Sequence, residues 1–373
     1  MNRNLILLTL FISQSLPLCS QPIGFRGQWS GWAGFSNPEK WNATLGTRYV
    51  PELNGRWKSL DFETSANGYW TKSRIESEWL DHEKDLKFYR IWIRYSRDQW
   101  EIRAGLQKIN FGSAVMLRPL MWFDRIDPRD PLQMTDGVWG LLGRYYFKSN
   151  ANIWLWGLID NDNPKGWEIL GTDENKPEFG GRIQVPTPGG EIALTTHHRQ
   201  IYNNLFAIYG STFSTMNEDR FAIDGKWDIG PGIWFEAVYI RQDFPFNFYL
   251  ANRHLLTVGM DYTFGLGNGL HAMAEHLYVE FSEESFIKGQ RTRFSAASLS
   301  YPIGLLDQVS GMFYYDWDNQ ASYRFLNMQR MYDQWSIYLM AFWNPDTFNL
   351  PQMNQAHTFF SGKGIQLMIV FNH

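Results

Sequence analysis

The stretch KFYRIWIRYS, residues 87–96, sets Tyr89, Ile91, Ile93 and Tyr95 on one side of an extended chain and Arg90, Trp92 and Arg94 on the other. The same two-residue period returns in SLDFETSANGYW, WEIRAGLQ, FGGRIQV, RFAIDGKWD and LLTVGMDYTF. It closes with GIQLMIVFNH, where Ile365, Leu367, Ile369 and Phe371 share one face. A chain patterned this way from end to end is all-β. Alternation alone does not say which face meets which solvent, because a soluble sandwich with a buried apolar face reads the same.

Composition narrows the choice. Aromatic residues make up 17% of the chain, 18 of them Trp, yet the mean hydropathy is −0.37. Beyond the first residues no run of ~18 apolar residues occurs, which excludes transmembrane helices. An outer-membrane barrel, with aromatic girdles outside and a polar lumen inside, accounts for both properties. The net charge of −4 and the lack of a basic stripe argue against a nucleic-acid partner.

MNRN followed by LILLTLFISQSLPL and CSQ reads as a secretory leader over residues 1–20, leaving 21–373 as one domain. Cys19 could instead be a lipidated N-terminus, but Leu18 stands where such signals want a small residue. Cleavage after Ser20 leaves no cysteine, hence no disulfide framework.

The connections carry more information than the strands. Short turn-like links (SRDQ, KSNAN, PTPGG, IGPG, GLGNG, PIGLLD) alternate with longer polar stretches near 73–85, 110–137, 160–177, 200–218, 243–253, 282–290 and 344–362. Short periplasmic turns and long extracellular loops are the barrel signature. If both termini are periplasmic the strand number is even. That requires a hairpin within 320–343, turning near Tyr332–Gln334, and gives a single-chain transmembrane antiparallel β-barrel of about 18 strands, or 16 if two weak strands are misread. The last strand places Phe371 at lipid-facing parity near the end, a feature read by barrel-assembly machinery.

Residues 86–147 have a distinctive order. The strand pair LKFYRIWIRYS…WEIRAGLQKINFG precedes the loop FDRIDPRDP, which is followed by the pair LLGRYYFKSNANIWLWG. This arrangement resembles the alginate-export-type porins and related bacterial outer-membrane proteins. The resemblance implies a barrel of around eighteen strands in the cell outer membrane and a transport role. It does not extend to the substrate. Inward parity gives Arg90, Arg94, Arg103, Arg182 and Lys226 against Asp61, Glu63, Glu101, Asp224, Asp228, Glu236, Asp261 and Asp316. A conduit for an acidic polysaccharide needs a basic surplus that this mixed lumen lacks.

Candidate pore-lining residues are therefore Arg90, Arg94, Glu101, Arg103, Gln107 and Arg182. Cross-strand pairing of arginines with Glu101 is the plainer alternative to anion steering. LRPLMWFDRIDPRDP, residues 117–131, is the candidate constriction: Pro119, Pro128 and Pro131 stiffen it and Trp122 and Phe123 give it something to bury. In it Asp124, Asp127 and Asp130 could be held by Arg118, Arg125 and Arg129. The same pairs could equally hold the loop flat over the rim.

His197 and His198 point to opposite faces of one strand and cannot jointly chelate a metal. DNDNP at 160–164 matches no EF-hand spacing and reads as a solvated loop facing lipopolysaccharide. GLGNG at 265–269 reads as a hairpin turn. No GxSxG elbow occurs, and His271 with Glu275 on one inward face suits a buried polar pair as well as a base and its orienter. The expectation is a channel without enzymatic activity, cofactor or metal, for a hydrophilic solute, embedded in outer-membrane lipid and lipopolysaccharide. The alternatives are a non-conducting surface-binding or assembly barrel and, third, a membrane-interface hydrolase.

Overall fold

The computed structural model describes residues 23–37, 39–76, 78–202, 215–244, 248–284, 287, 289–346 and 360–373. The predicted leader, Cys19 included, lies outside them.

The chain winds up and down through β1 (Gly24–Asn37), β2 (Asn42–Trp57), β3 (Leu60–Ile75), β4 (Glu78–Trp79), β5 (Glu83–Arg97), β6 (Trp100–Gln107), β7 (Val138–Tyr146), β8 (Asn152–Leu158) and β9 (Glu178–Thr187). It continues through β10 (Gly190–Tyr202), β11 (Thr215–Asp228), β12 (Gly232–Gln242), β13 (Asn252–Phe264), β14 (Leu270–Ser282), β15 (Gln290–Pro302), β16 (Asp307–Asp316), β17 (Ala321–Met331), β18 (Trp335–Trp343) and β19 (Lys363–Asn372). The two-residue β4 only prolongs the β3–β5 hairpin, so eighteen strands form the wall. Each long strand pairs antiparallel with its neighbours in sequence, and β19 pairs with β1 from Asn372↔Gln28 to Lys363↔Asn37, closing the barrel. Closure satisfies every ladder, which a bilayer demands of a spanning sheet. The predicted hairpin within 320–343 is β17–β18, turning at 332–334.

One rim carries only short turns. Residues 188–189 are one, where Gly189 adopts φ 74°, a conformation open to glycine at little cost. The other rim carries the long connections, of which 108–137 and 159–177 are the longest fully described.

Burial reverses the soluble pattern. On β11 Phe221 is 52% exposed on the outside, while inside Glu218, Arg220 and Asp224 are almost wholly covered. Leu86, Leu155 and Leu194 are likewise exposed outward. Apolar outside and charged inside is the arrangement of a wall in contact with lipid. The apolar cluster lies inside the barrel: Ile109, Leu117, Leu120, Trp122 and Phe123 of 108–137 pack with inward residues such as Val238, Leu277, Phe294, Tyr323 and Phe342.

Candidate functional site in the barrel lumen

Loop 108–137 does not lie over the rim; it enters the lumen and is held from the opposite wall. Glu275 on β14 accepts the backbone N–H groups of Val115 (2.7 Å), Met116 (2.9 Å) and Leu117 (2.6 Å), and the Trp234 indole N–H (3.1 Å). Glu236 on β12 accepts those of Ala114 (2.7 Å) and Leu120 (3.0 Å). Thr257 on β13 donates its hydroxyl to the Leu117 carbonyl at 2.7 Å. Loop backbone in a lumen would otherwise leave its polar groups unpaired, and these wall side chains supply the partners. Gly112 makes the approach possible: it sits at φ 95° with Glu236 Oε1 pressed where a Cβ would be.

Within the loop, Arg118 donates to both oxygens of Asp124 (2.6 and 3.1 Å) and to Asn110 Oδ1 (2.7 Å). Burial pulls the Arg118 pKa down, but the Asp124 charge and hydrogen bond outweigh it and leave the pKa raised. The loop then runs on along the wall. Arg129 pairs with Asp127 at 2.5 Å and lies over the rings of Phe325 and Phe360. Leu132 packs against the cluster of Tyr338, Met368 and Val370 on β18 and β19, which Trp32 of β1 also meets. The return to β7 is fixed by Arg90 Nη2 donating to the Thr135 carbonyl at 2.9 Å and by Lys87 with Asp136 at 2.8 Å. The loop thus touches the wall on nearly every side.

A second connection, 159–177, covers a buried ion cluster. Arg199, Arg220 and Arg253 converge on Glu218, with Arg199 Nε at 2.7 Å and Arg253 Nη2 at 3.1 Å; Glu168 of the connection meets Arg220 at 2.6 Å and Arg199 at 3.2 Å. Arg199 also donates to Thr172 Oγ1 and the Leu170 carbonyl, so the cluster ties this connection to the wall. Burial lowers the pKa of the adjacent Lys165, with Glu168 opposing. Beside the cluster, His197 accepts from the Trp156 indole at Nδ1 (3.2 Å) and therefore donates from Nε2 to Glu178 (3.0 Å).

Toward the short-turn rim the lumen keeps a partly exposed charged patch. Glu101 receives Arg103 (3.2 Å), Arg144 (3.3 Å) and, more distantly, Arg94 (3.9 Å), while Asp61 holds Arg94 (2.8 Å) and Arg56. Arg144 lies 3.8 Å from the Trp154 ring centroid and Arg103 lies 4.8 Å from that of Trp92. Further round, Arg182 forms a buried two-point pair with Asp224 at 2.6 and 2.7 Å.

The predicted residues thus separate into groups. Arg94, Glu101 and Arg103 meet one another, joined by Arg144, whose even-numbered place in LLGRYY puts it at inward parity. Arg90 and Gln107 are buried: Arg90 holds the loop, and the Gln107 amide donates to the backbone carbonyls of Arg103 and Gly140. Arg118–Asp124 and Arg129–Asp127 pair within the loop. Asp130 takes the Leu132 (3.0 Å) and Met134 (3.2 Å) N–H groups instead of an arginine, since the turn offers these first, and burial raises its pKa. Arg125 makes no ion pair among the described residues. His271 pairs with Asp261 at 3.2 Å rather than with Glu275, four residues along the strand. Among the described residues no three metal-ligating side chains gather.

No family model matches the chain, and no curated protein matches it in sequence. Solved structures do match in fold. OccD3 (OpdP) of Pseudomonas aeruginosa is 10% identical with a TM-score of 0.59, covering 95% of this chain and 91% of its own. OccAB4 of Acinetobacter baumannii is 8% identical, TM-score 0.55, covering 95% and 99%. Wzi of Escherichia coli, described as a carbohydrate-binding β-barrel involved in group 1 capsule assembly, is 10% identical, TM-score 0.55, covering 92% and 84%. The shared architecture and the apolar outer wall make this chain an outer-membrane β-barrel protein.

Proposed function

We propose that the chain is an outer-membrane channel for passive passage of a hydrophilic solute, with loop 110–137 setting its narrowest point. The observation that carries this reading is the anchoring of the loop by Glu236 and Glu275 from the far wall, which holds it across the lumen. A segment that only decorated the rim would not need two buried carboxylates to receive its backbone. Below it, Arg94, Arg103, Arg144 and Glu101 offer charged, exchangeable hydrogen bonds of the kind that replace part of a solute's hydration. OccD3 and OccAB4 share this fold. Passage of this kind asks no bond chemistry of the wall, so the reading is of a channel rather than an enzyme. Planar-bilayer recording of the folded protein, intact and with 110–137 replaced by a short link, tests it. Steady current that rises on deletion supports the reading, and unchanged current removes the constriction role.

A second reading has its own support. The apolar cluster joins loop and wall continuously inside the barrel, as suits a barrel that binds at the cell surface and does not conduct. Wzi, a carbohydrate-binding barrel, shares the fold. Absence of any current from correctly folded protein would favour this alternative.

A further inference from the structure

On the outer wall, above the apolar belt on the long-loop side, acidic and basic residues are sorted by face. Trp70 pairs in register with Lys84, one outward step above Leu86, which pairs with Gly68 and is 78% exposed. Lys72 and Arg74 follow Trp70 on the same outward parity of β3. Their heads lie against the exposed Trp79 and the half-buried Trp41: Lys72 Nζ is 4.7 Å from the Trp79 ring centroid, and Arg74 is 5.4 Å from those of both Trp79 and Trp41. Trp41 stacks in turn on the outward Phe35. Glu83 and Asp85 pair with Thr71 and Tyr69, the opposite parity of β3, and so face the lumen side. None of Lys72, Arg74 and Lys84 has a carboxylate partner among the described residues; the nearby Glu76 side chain takes Lys40 at 3.6 Å and gives Arg74 only its carbonyl. Elsewhere on this rim three outward arginines are answered, Arg241 by Asp243, Arg291 by Glu280 and Arg293 by Asp318, while Arg324 beside Trp343 makes no ion pair among the described residues.

We propose that Lys72, Arg74 and Lys84, with Trp41 and Trp79, form a docking site for the phosphorylated glucosamine head of lipid A in the surrounding outer leaflet. Three uncompensated cations at the top of an apolar wall suit an amphiphile whose acyl chains lie along Leu86 and Phe88 and whose phosphates stand level with the cations. The indoles hold the lysine and arginine heads against the interface, where charge attraction to anionic lipid is strongest. The site rests on the membrane reading of the barrel and is independent of whether the lumen conducts.

The test uses the full chain folded in detergent, titrated with bisphosphorylated lipid A and followed by native mass spectrometry. Heat-modifiable gel migration reports separately that the barrel is intact. Wild type should take up lipid A saturably, and dephosphorylated lipid A should bind at least about ten-fold more weakly. The variant K72Q/R74Q/K84Q should lose a similar factor, whereas R241Q/R291Q/R293Q, which removes equal charge on the other side, should bind as wild type does. Equal binding of dephosphorylated lipid A, undiminished binding by the first variant, or an equal loss in the second would overturn the site. If the triple variant does not assemble, the single exchanges of these exposed side chains carry the same comparison.

Discussion

Replacing Glu236 and Glu275 together by glutamine should loosen the loop that crosses the lumen while leaving the barrel intact. On Glu275, Oε1 receives Val115 N–H and the Trp234 indole, and Oε2 receives Met116 and Leu117 N–H. Whichever oxygen becomes an amide nitrogen, two donors lose their acceptor and meet another donor. Glu236 takes one loop N–H on each oxygen, so its replacement strands one more. A buried N–H left without an acceptor costs about 1–3 kcal/mol, so the two or three stranded loop donors weaken loop anchoring by about 4 kcal/mol, about three decades in the ratio of displaced to seated loop. Single-channel recording should then show frequent transitions to a higher conductance. Trypsin should cut after Arg125 or Arg129 in the variant and not in the wild type. A folded double variant with wild-type current and wild-type resistance to trypsin would refute the anchoring argument.

The charged patch below the loop gives a second expectation. Removing positive charge with R103Q/R144Q should move the reversal potential in a KCl gradient toward cation preference, and E101Q should move it the other way. At about 5 Å and high dielectric each charge is worth about 1 kcal/mol, about a five-fold change in permeability ratio. Asp130 should make the loop sensitive to pH. Its carboxyl is raised by burial, with Arg48 opposing and Asp127 adding to the shift, so the seated loop keeps the proton at a pH where the free chain has lost it. That contribution to seating is complete below the ordinary carboxylate range and is lost as pH rises through the raised pKa. Current noise should accordingly fall on acidification from neutral pH, and D130N should flatten that dependence. Finally, G112A should mimic part of the glutamate double variant, because a Cβ at φ 95° is strained and collides with Glu236; an unchanged conductance trace would show that the close approach is dispensable.

The wall was legible in the sequence because parity is a local property. Alternation in KFYRIWIRYS and its counterparts assigns most side chains to lipid or lumen, and the unequal links order the strands. A β-bulge opposite Ser65 and Ala66, however, shifts the phase at Tyr89, which turns to Met134 of the loop while Leu86 and Phe88 join Ile91 and Ile93 on the lipid face. The loop's proline-stiffened, aromatic character was legible for the same reason. Its anchors were not. Glu236 read as one more inward acid and Glu275 as a polar partner for His271, because backbone N–H groups more than a hundred residues away leave no mark on the sequence around them. The pairing inside the loop was only half visible: alternating Arg and Asp suggested three ion pairs, but the turn at Asp130 satisfies its carboxylate with main chain. Arg199, Glu218, Arg220 and Arg253 also escaped notice. Each sits at inward parity at the long-loop end of its strand, and four such charges on β10, β11 and β13, within a span of four consecutive strands, were the available signal.

The most direct test of the account is the conductance of the folded chain in a planar bilayer, measured before and after 110–137 is replaced by a short link. The loop-narrowed channel predicts a small, steady current that increases several-fold once the loop is gone. No current from the intact protein, or the same current with and without the loop, would contradict it.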